Sequence, residues 1–192
     1  MVAAWLSPGQ MLSDEKIATL QAEDAREVAM QKALRFLGYR ARSTQEVRAN
    51  LEKNEIPEAT IEFTLTRLQE SGLLNDQEFA QAWIENRNAF RPRSHRALAL
   101  ELRRKGLDRE IVDDAIKISG DENTLALDAA QKYVRKVQAL AWPEFRKKLG
   151  GFLGRRGFSY GIIAPVLRLV WNDLHSGAEN INIDDDDEED VL

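Results

Sequence analysis

Two groups of basic side chains carry most of the binding chemistry this chain can offer. Arg87, Arg91, Arg93, Arg96, Arg103, Arg104 and Lys105 fall within nineteen residues and are opposed in that stretch only by Glu101. Arg135, Lys136, Arg146, Lys147, Lys148, Arg155 and Arg156 form the second group. Arginine outnumbers lysine in both, and its planar fork suits paired hydrogen bonds to phosphate or carboxylate. One reading is contact with nucleic acid, or with the acidic surface of an assembly that holds it. The other is a set of solvated helix faces with ordinary i,i+4 pairs. No helix-turn-helix or zinc-finger pattern is present, so base-specific reading is not suggested.

Catalytic constellations are missing. The chain has no cysteine, which removes thiolate nucleophiles, disulfides and cysteine metal sites together. His95 and His175 are far apart, outside any metal-ligand spacing. Gly150-Gly151-x-x-Gly154 follows no strand pattern and reads as a tight bend or a close helix contact. Asp113, Asp114, Asp121 and Glu122 lack the spacing of a calcium loop. The expectation is a protein that is not an enzyme and holds no metal or cofactor.

The net charge of −5 conceals an asymmetry. Residues 184–190 read DDDDEED, whereas residues 26–174 carry 26 Lys and Arg against 20 Asp and Glu, a formal +6. A basic body thus precedes an acidic tail. No apolar run reaches the ~20 residues needed to span a bilayer, and no secretory signal pattern is visible.

The elements that position the basic groups come from an internal repeat. Apolar residues recur at an offset of 51: Val47, Leu98 and Leu149, then Leu51, Leu102 and Leu153, then Ile56, Leu107 and Phe158. Ile61, Val112 and Ile163, and Leu65, Ile116 and Leu167, continue the series. Gly106 and Gly157 hold equivalent positions in the break between two helices, where a left-handed residue favours glycine. In the first copy that role falls to Glu55 or to Asn54 beside it. Pro57 and Asp108 start the helix after the break.

A third helix per unit lies upstream at a looser offset. Ala33, Ala80 and Ala130 precede Phe36, Trp83 and Tyr133 by three positions, on one helix face. The alanine allows close approach, and the aromatic is expected to fill the core. Ser43-x-x-Glu46 reads as a capping box and Asn75-x-x-Glu78 as a looser one. Helices are predicted near 13–25, 26–38, 44–54, 58–71, 76–89, 94–105, 109–118, 123–138, 143–155 and 160–174. Pro165 predicts a kink or a later start in the last of these. Phe90 either stacks on a base or packs under its loop. If the units stack regularly, the two basic groups form one continuous stripe.

Gly72-Leu73-Leu74-Asn75-Asp76-x-x-Phe79-Ala80-x-x-Trp83 is followed by Arg87. Before it stands Ala33-Leu34-x-x-Leu37-x-x-Arg40-x-Arg42-Ser43-x-x-Glu46-Val47, and after it Glu101-Leu102-x-x-Lys105-Gly106-Leu107. In this order and spacing they resemble the RecX family of bacterial recombinase regulators. Phe152-Leu153-x-x-Arg156-Gly157-Phe158 extends the resemblance into the third unit, so that it covers about 26–174. Arg91-Pro92-Arg93-Ser94 departs from the glycine that family members often carry before the fifth helix. The resemblance implies a cytoplasmic modulator of the RecA recombinase, acting in homologous recombination, DNA repair and the SOS response. It would bind the nucleoprotein filament along its groove and suppress ATP turnover, strand exchange and coprotease activity. Its partners would be the RecA filament and single-stranded DNA.

The expected fold is all-α, with three tandem three-helix repeats stacked into an elongated, curved array. The divisions are an N-terminal extension, partly helical, at 1–25, repeats at 26–75, 76–121 and 122–175, and a disordered acidic tail at 176–192. A monomer without membrane contact is expected. The tail reads as a solubilising or autoregulatory segment, and one hypothesis is that it competes with DNA for the basic groups as a tethered polyanion. Two rival functions are a sequence-independent nucleic-acid binder and a helical scaffold for another protein.

Overall fold

The structure is a computed structural model of the chain, and the described residues are 11–176. Among them are nine α-helices and no strand: α1 Asp14–Leu37, α2 Thr44–Lys53, α3 Glu58–Glu70, α4 Asp76–Phe90, α5 His95–Arg104, α6 Arg109–Lys117, α7 Glu122–Val134, α8 Trp142–Arg155 and α9 Tyr160–His175. They are three three-helix repeats in tandem. No described helix is long and apolar enough to cross a membrane. Most of residues 1–12 and of the acidic tail lie outside the described residues.

The chain forms two compact units. Among the described residues, one comprises 11–82 with Leu102–Asp113, and the other Trp83–Glu101 with 114–176. Helices α4, α5 and α6 each contribute to both. In the first unit α1 packs on α2 and α3, and α2 on α3. Its core is Ala29, Ala33, Val47, Leu51, Ile61, Leu65, Leu68 and Leu74. In the second unit α7, α8 and α9 pack pairwise around Ala126, Ala130, Phe145, Leu149, Leu153, Leu167 and Trp171. Gly150 in α8 faces α9, where a Cβ would lie 3.5 Å from Leu167 Cδ1, an ordinary contact distance.

The offset of 51 identifies the core. Val47, Leu98, Leu149, Leu51, Leu102 and Leu153 are each fully shielded from solvent, as are Ala33, Ala80 and Ala130. Each leucine-sized side chain so buried contributes about 1.5–3 kcal/mol. Ile56 and Ile116 are only half-buried. Of the repeated aromatics, Phe36 and Tyr133 pack against the cores as expected. Phe36, Trp83 and Tyr133 are half-buried at the core's rim, and each carries a cation on its ring.

Local structure departs from the sequence pattern at two places and decides between its alternatives at two more. The helices predicted at 13–25 and 26–38 are one helix of 24 residues, since no glycine or proline interrupts α1. Helix α7 ends at Val134, and i→i+3 bonds such as Val137 N to Val134 O carry the chain on to α8. Helix α9 starts at Tyr160 and runs through Pro165, so the later start does not occur. Glu55, with φ +58, holds the left-handed position, whereas Asn54 stays at φ −92.

Candidate functional site

The first unit brings the start of α2 against the end of α5. Ser43 is buried; its Oγ accepts from the Glu46 amide at 3.2 Å and donates to the Lys105 carbonyl at 2.6 Å. The next residue, Gly106, has φ +81, and a Cβ there would lie 2.4 Å from Gln45 Cβ. Glycine is therefore required both by the backbone and by the close approach. Glu46 sits between two cations, with Arg40 Nη2 at 2.9 Å and Lys105 Nζ at 2.7 Å. Burial opposes its ionisation, but hydrogen bonds from Arg40 and Lys105, with their charges, hold the carboxyl down at about 2. Arg42 lies over the Phe36 ring at 3.9 Å, and its shielded Nε has no hydrogen-bond partner among the described residues. Burial and then the neighbouring Arg40 lower the pKa of Arg42, with Glu46 acting the other way.

The second unit contains the same junction, 51 positions on. Ser94 is buried, donates its amide to the Arg156 carbonyl at 3.1 Å and accepts at Oγ from the Ala97 amide at 3.1 Å. Gly157 has φ +93, and a Cβ there would lie 2.5 Å from Ser94 Oγ. Arg156 Nη1 donates to the Pro92 carbonyl at 2.9 Å, and its guanidinium lies over Phe152 at 4.4 Å. Burial, then Arg93 and Arg91, lower the pKa of Arg156. Phe152 in turn stacks on Tyr133 at 4.0 Å, with Lys136 above that ring at 5.4 Å.

Arg40, Arg42, Ser43, Lys105 and Gly106 thus correspond to Arg91, Arg93, Ser94, Arg156 and Gly157. The amides of Thr44 and His95, also equivalent, are capped by Asp76 at 2.8 Å and Glu122 at 3.0 Å. The difference lies in the counterion. Ala97 stands where Glu46 stands in the first junction. In the second unit Glu101 accepts from Trp83 Nε1, Arg87 Nε and Arg93 Nη1, each at 2.8 Å. Arg91 and Arg156 form no ion pair among the described residues.

The structure therefore brings together Arg91, Arg93 and Arg156 from the two predicted groups, with Arg87 tied to Arg93 through Glu101. Lys105 belongs to the first junction, and Arg103 reaches Asp113 at 3.9 Å. Arg96, Arg104, Arg135, Lys147, Lys148 and Arg155 are exposed and form no ion pair among the described residues; Arg146 is exposed too. The α8 bases do not form one line. At about 100° per residue, Arg146 and Lys148 stand on opposite flanks, with Lys147 between them and Arg155 beside Lys148. Phe90 is 73% exposed, so it does not pack under its loop. Grouping bases by density leaves out Arg40 and Arg42; applying the offset of 51 to Arg91 and Arg93 finds both.

Comparison with known proteins decides the family. Models of the first, second and third three-helix domains of RecX match residues 29–68, 75–116 and 121–167, in that order. The chain belongs to the RecX family. The regulatory protein RecX of Streptomyces coelicolor is 37% identical over 160 residues, covering 82% of this chain and 85% of that one. RecX of Bacillus subtilis is 32% identical over 164 residues, covering 84% of this chain and 62% of the longer relative. The crystal structure of RecX from Lactobacillus salivarius matches with a TM-score of 0.67 at 24% identity, covering 77% of this chain and 97% of that one, which shows the shared fold. Membership in the RecX family gives the chain a regulatory role and its three-domain helical architecture.

Proposed function

We propose that this RecX-family chain binds the nucleoprotein filament of a RecA recombinase and lowers its ATP turnover, strand exchange and coprotease activity. The observation that carries this reading is the ordered match of all three RecX domains. Charge supports it: a filament bearing DNA presents phosphate, and in the second unit Arg91 and Arg156 have no carboxylate partner among the described residues. On this reading the repeats at 26–75, 76–121 and 122–175 act as one cytoplasmic monomer that occupies the filament groove and contacts recombinase and single strand. Recombination, DNA repair and the SOS response are then the processes it tunes. The test is single-strand-dependent ATP hydrolysis by the cognate recombinase with the protein added at stoichiometric amounts. Suppressed turnover is expected, and unchanged turnover sinks the reading.

A further inference from the structure

We infer that the duplicated Arg-x-Arg-Ser turn is a repeated phosphate seat. Arg40, Arg42 and Lys105 form one copy and Arg91, Arg93 and Arg156 the other, each suited by itself to a phosphodiester of single-stranded nucleic acid. This deepens the filament reading and rests on it for its setting, while its geometry lies within each unit.

Three observations converge. The same three cationic positions recur at one offset, and at each copy a buried serine and a left-handed glycine lock the turn to the end of a later helix. Packing alone asks only for the serine and the glycine; it does not ask for three cations around them. Aromatic rings also hold the guanidiniums in place, Phe36 under Arg42 at 3.9 Å and Phe152 under Arg156 at 4.4 Å. Finally, the amides that start α2 and α5 are already capped by Asp76 and Glu122. An incoming anion therefore meets guanidinium forks and not a helix end, and forks match the paired oxygens of phosphate.

Repetition selects the ligand class. A lone metabolite needs one seat, whereas a polymer with a charge on every unit uses the same seat twice. The two copies differ in their carboxylates, Glu46 standing against Ala97 and Asn50 against Glu101. Glu46 bonds both Arg40 and Lys105 in the first, whereas in the second Ala97 stands at that position and Glu101 bonds Arg93 alone, leaving Arg91 and Arg156 with no ion pair among the described residues. The second copy is thus the stronger seat, and the first is partly closed by its own carboxylate.

The test is fluorescence anisotropy of a labelled oligothymidylate with the full chain, between 50 and 200 mM salt and without recombinase, so that it fails separately from the filament reading. Arg91→Gln removes an exposed cation that forms no ion pair among the described residues. It should lower the slope of log affinity against log salt by about 0.7 and weaken binding several-fold at the lowest salt. Glu46→Gln keeps the reciprocal cap, because glutamine serves in a capping box, and should tighten binding about 3- to 10-fold by opening the first seat. Glu70→Gln, the same charge change at the exposed Arg67 pair, should alter affinity less than about twofold. Absence of oligothymidylate binding, an unchanged slope for Arg91→Gln, or Glu46→Gln behaving like Glu70→Gln overturns the inference.

Discussion

Arg156 Nη1 donates to the carbonyl oxygen of Pro92 at 2.9 Å across 64 positions of the chain. Together with the Ser94 amide on the Arg156 carbonyl, this bond fixes the loop before α5 to the end of α8. It also holds a cation beside Arg91 and Arg93, against their mutual repulsion. The same few residues hold the loop in place and bring three cations together.

The junction glycines are the most sensitive backbone positions. Gly106→Ala and Gly157→Ala each meet a left-handed backbone and a neighbour within 2.5 Å of the new Cβ. Gly72→Ala meets the same backbone penalty with nothing within 4 Å. Urea denaturation should show a loss of about 1–2 kcal/mol for Gly72→Ala, and a further 1–3 kcal/mol for the other two from overpacking. Equal losses at all three would remove close approach as the reason for glycine.

Glu55 invites the opposite change. Its φ of +58 places a non-glycine residue in the left-handed region. Glu55→Gly should raise stability by up to about 1 kcal/mol by relieving that strain, less glycine's entropy. A clear loss in the urea midpoint would show that the glutamate side chain contributes there.

The architecture was legible because apolar spacing is enforced wherever helices pack. Val47, Leu98 and Leu149 cannot shift register without exposing themselves. The site was half legible. Density of charge finds Arg91, Arg93 and Arg156 but overlooks Arg40 and Arg42, because the run from Lys32 to Arg42 is short and Glu46 follows it. Density also overweights Arg146, Lys147 and Lys148, which a helix turns to different sides. Phe36 and Tyr133 pack on the cores as their positions suggest, and Trp83 differs. Trp83 is apolar enough to mimic a core residue, but its Nε1 needs a partner and finds Glu101 at the rim.

Glu46 should make stability fall in acid. Its folded pKa, about 2, is below its ordinary 4.5, so its ion pairs contribute fully above about pH 4.5 and are lost as pH drops toward 2. With screening at a partly exposed site, the loss is on the order of 1–2 kcal/mol. Chemical denaturation at pH 6 and pH 3 should show a smaller drop for Glu46→Gln than for the parent. Parallel drops would remove Glu46 from the acid response.

Glu101 joins three donors at 2.8 Å and is 15% exposed. Glu101→Ala leaves the Trp83 indole and two guanidiniums without their acceptor, and should destabilise the protein by about 2–4 kcal/mol. Thermal unfolding by circular dichroism checks this, and a loss under about 0.5 kcal/mol would mean that solvent replaces the carboxylate.

The most direct test of the account is single-strand-dependent ATP hydrolysis by the cognate recombinase, titrated with the parent chain and with the Arg91→Gln, Arg93→Gln double variant. The parent should suppress turnover at stoichiometric amounts, and the double variant should need several-fold more protein for the same effect. Turnover untouched by the parent, or suppressed equally by both proteins, would contradict it.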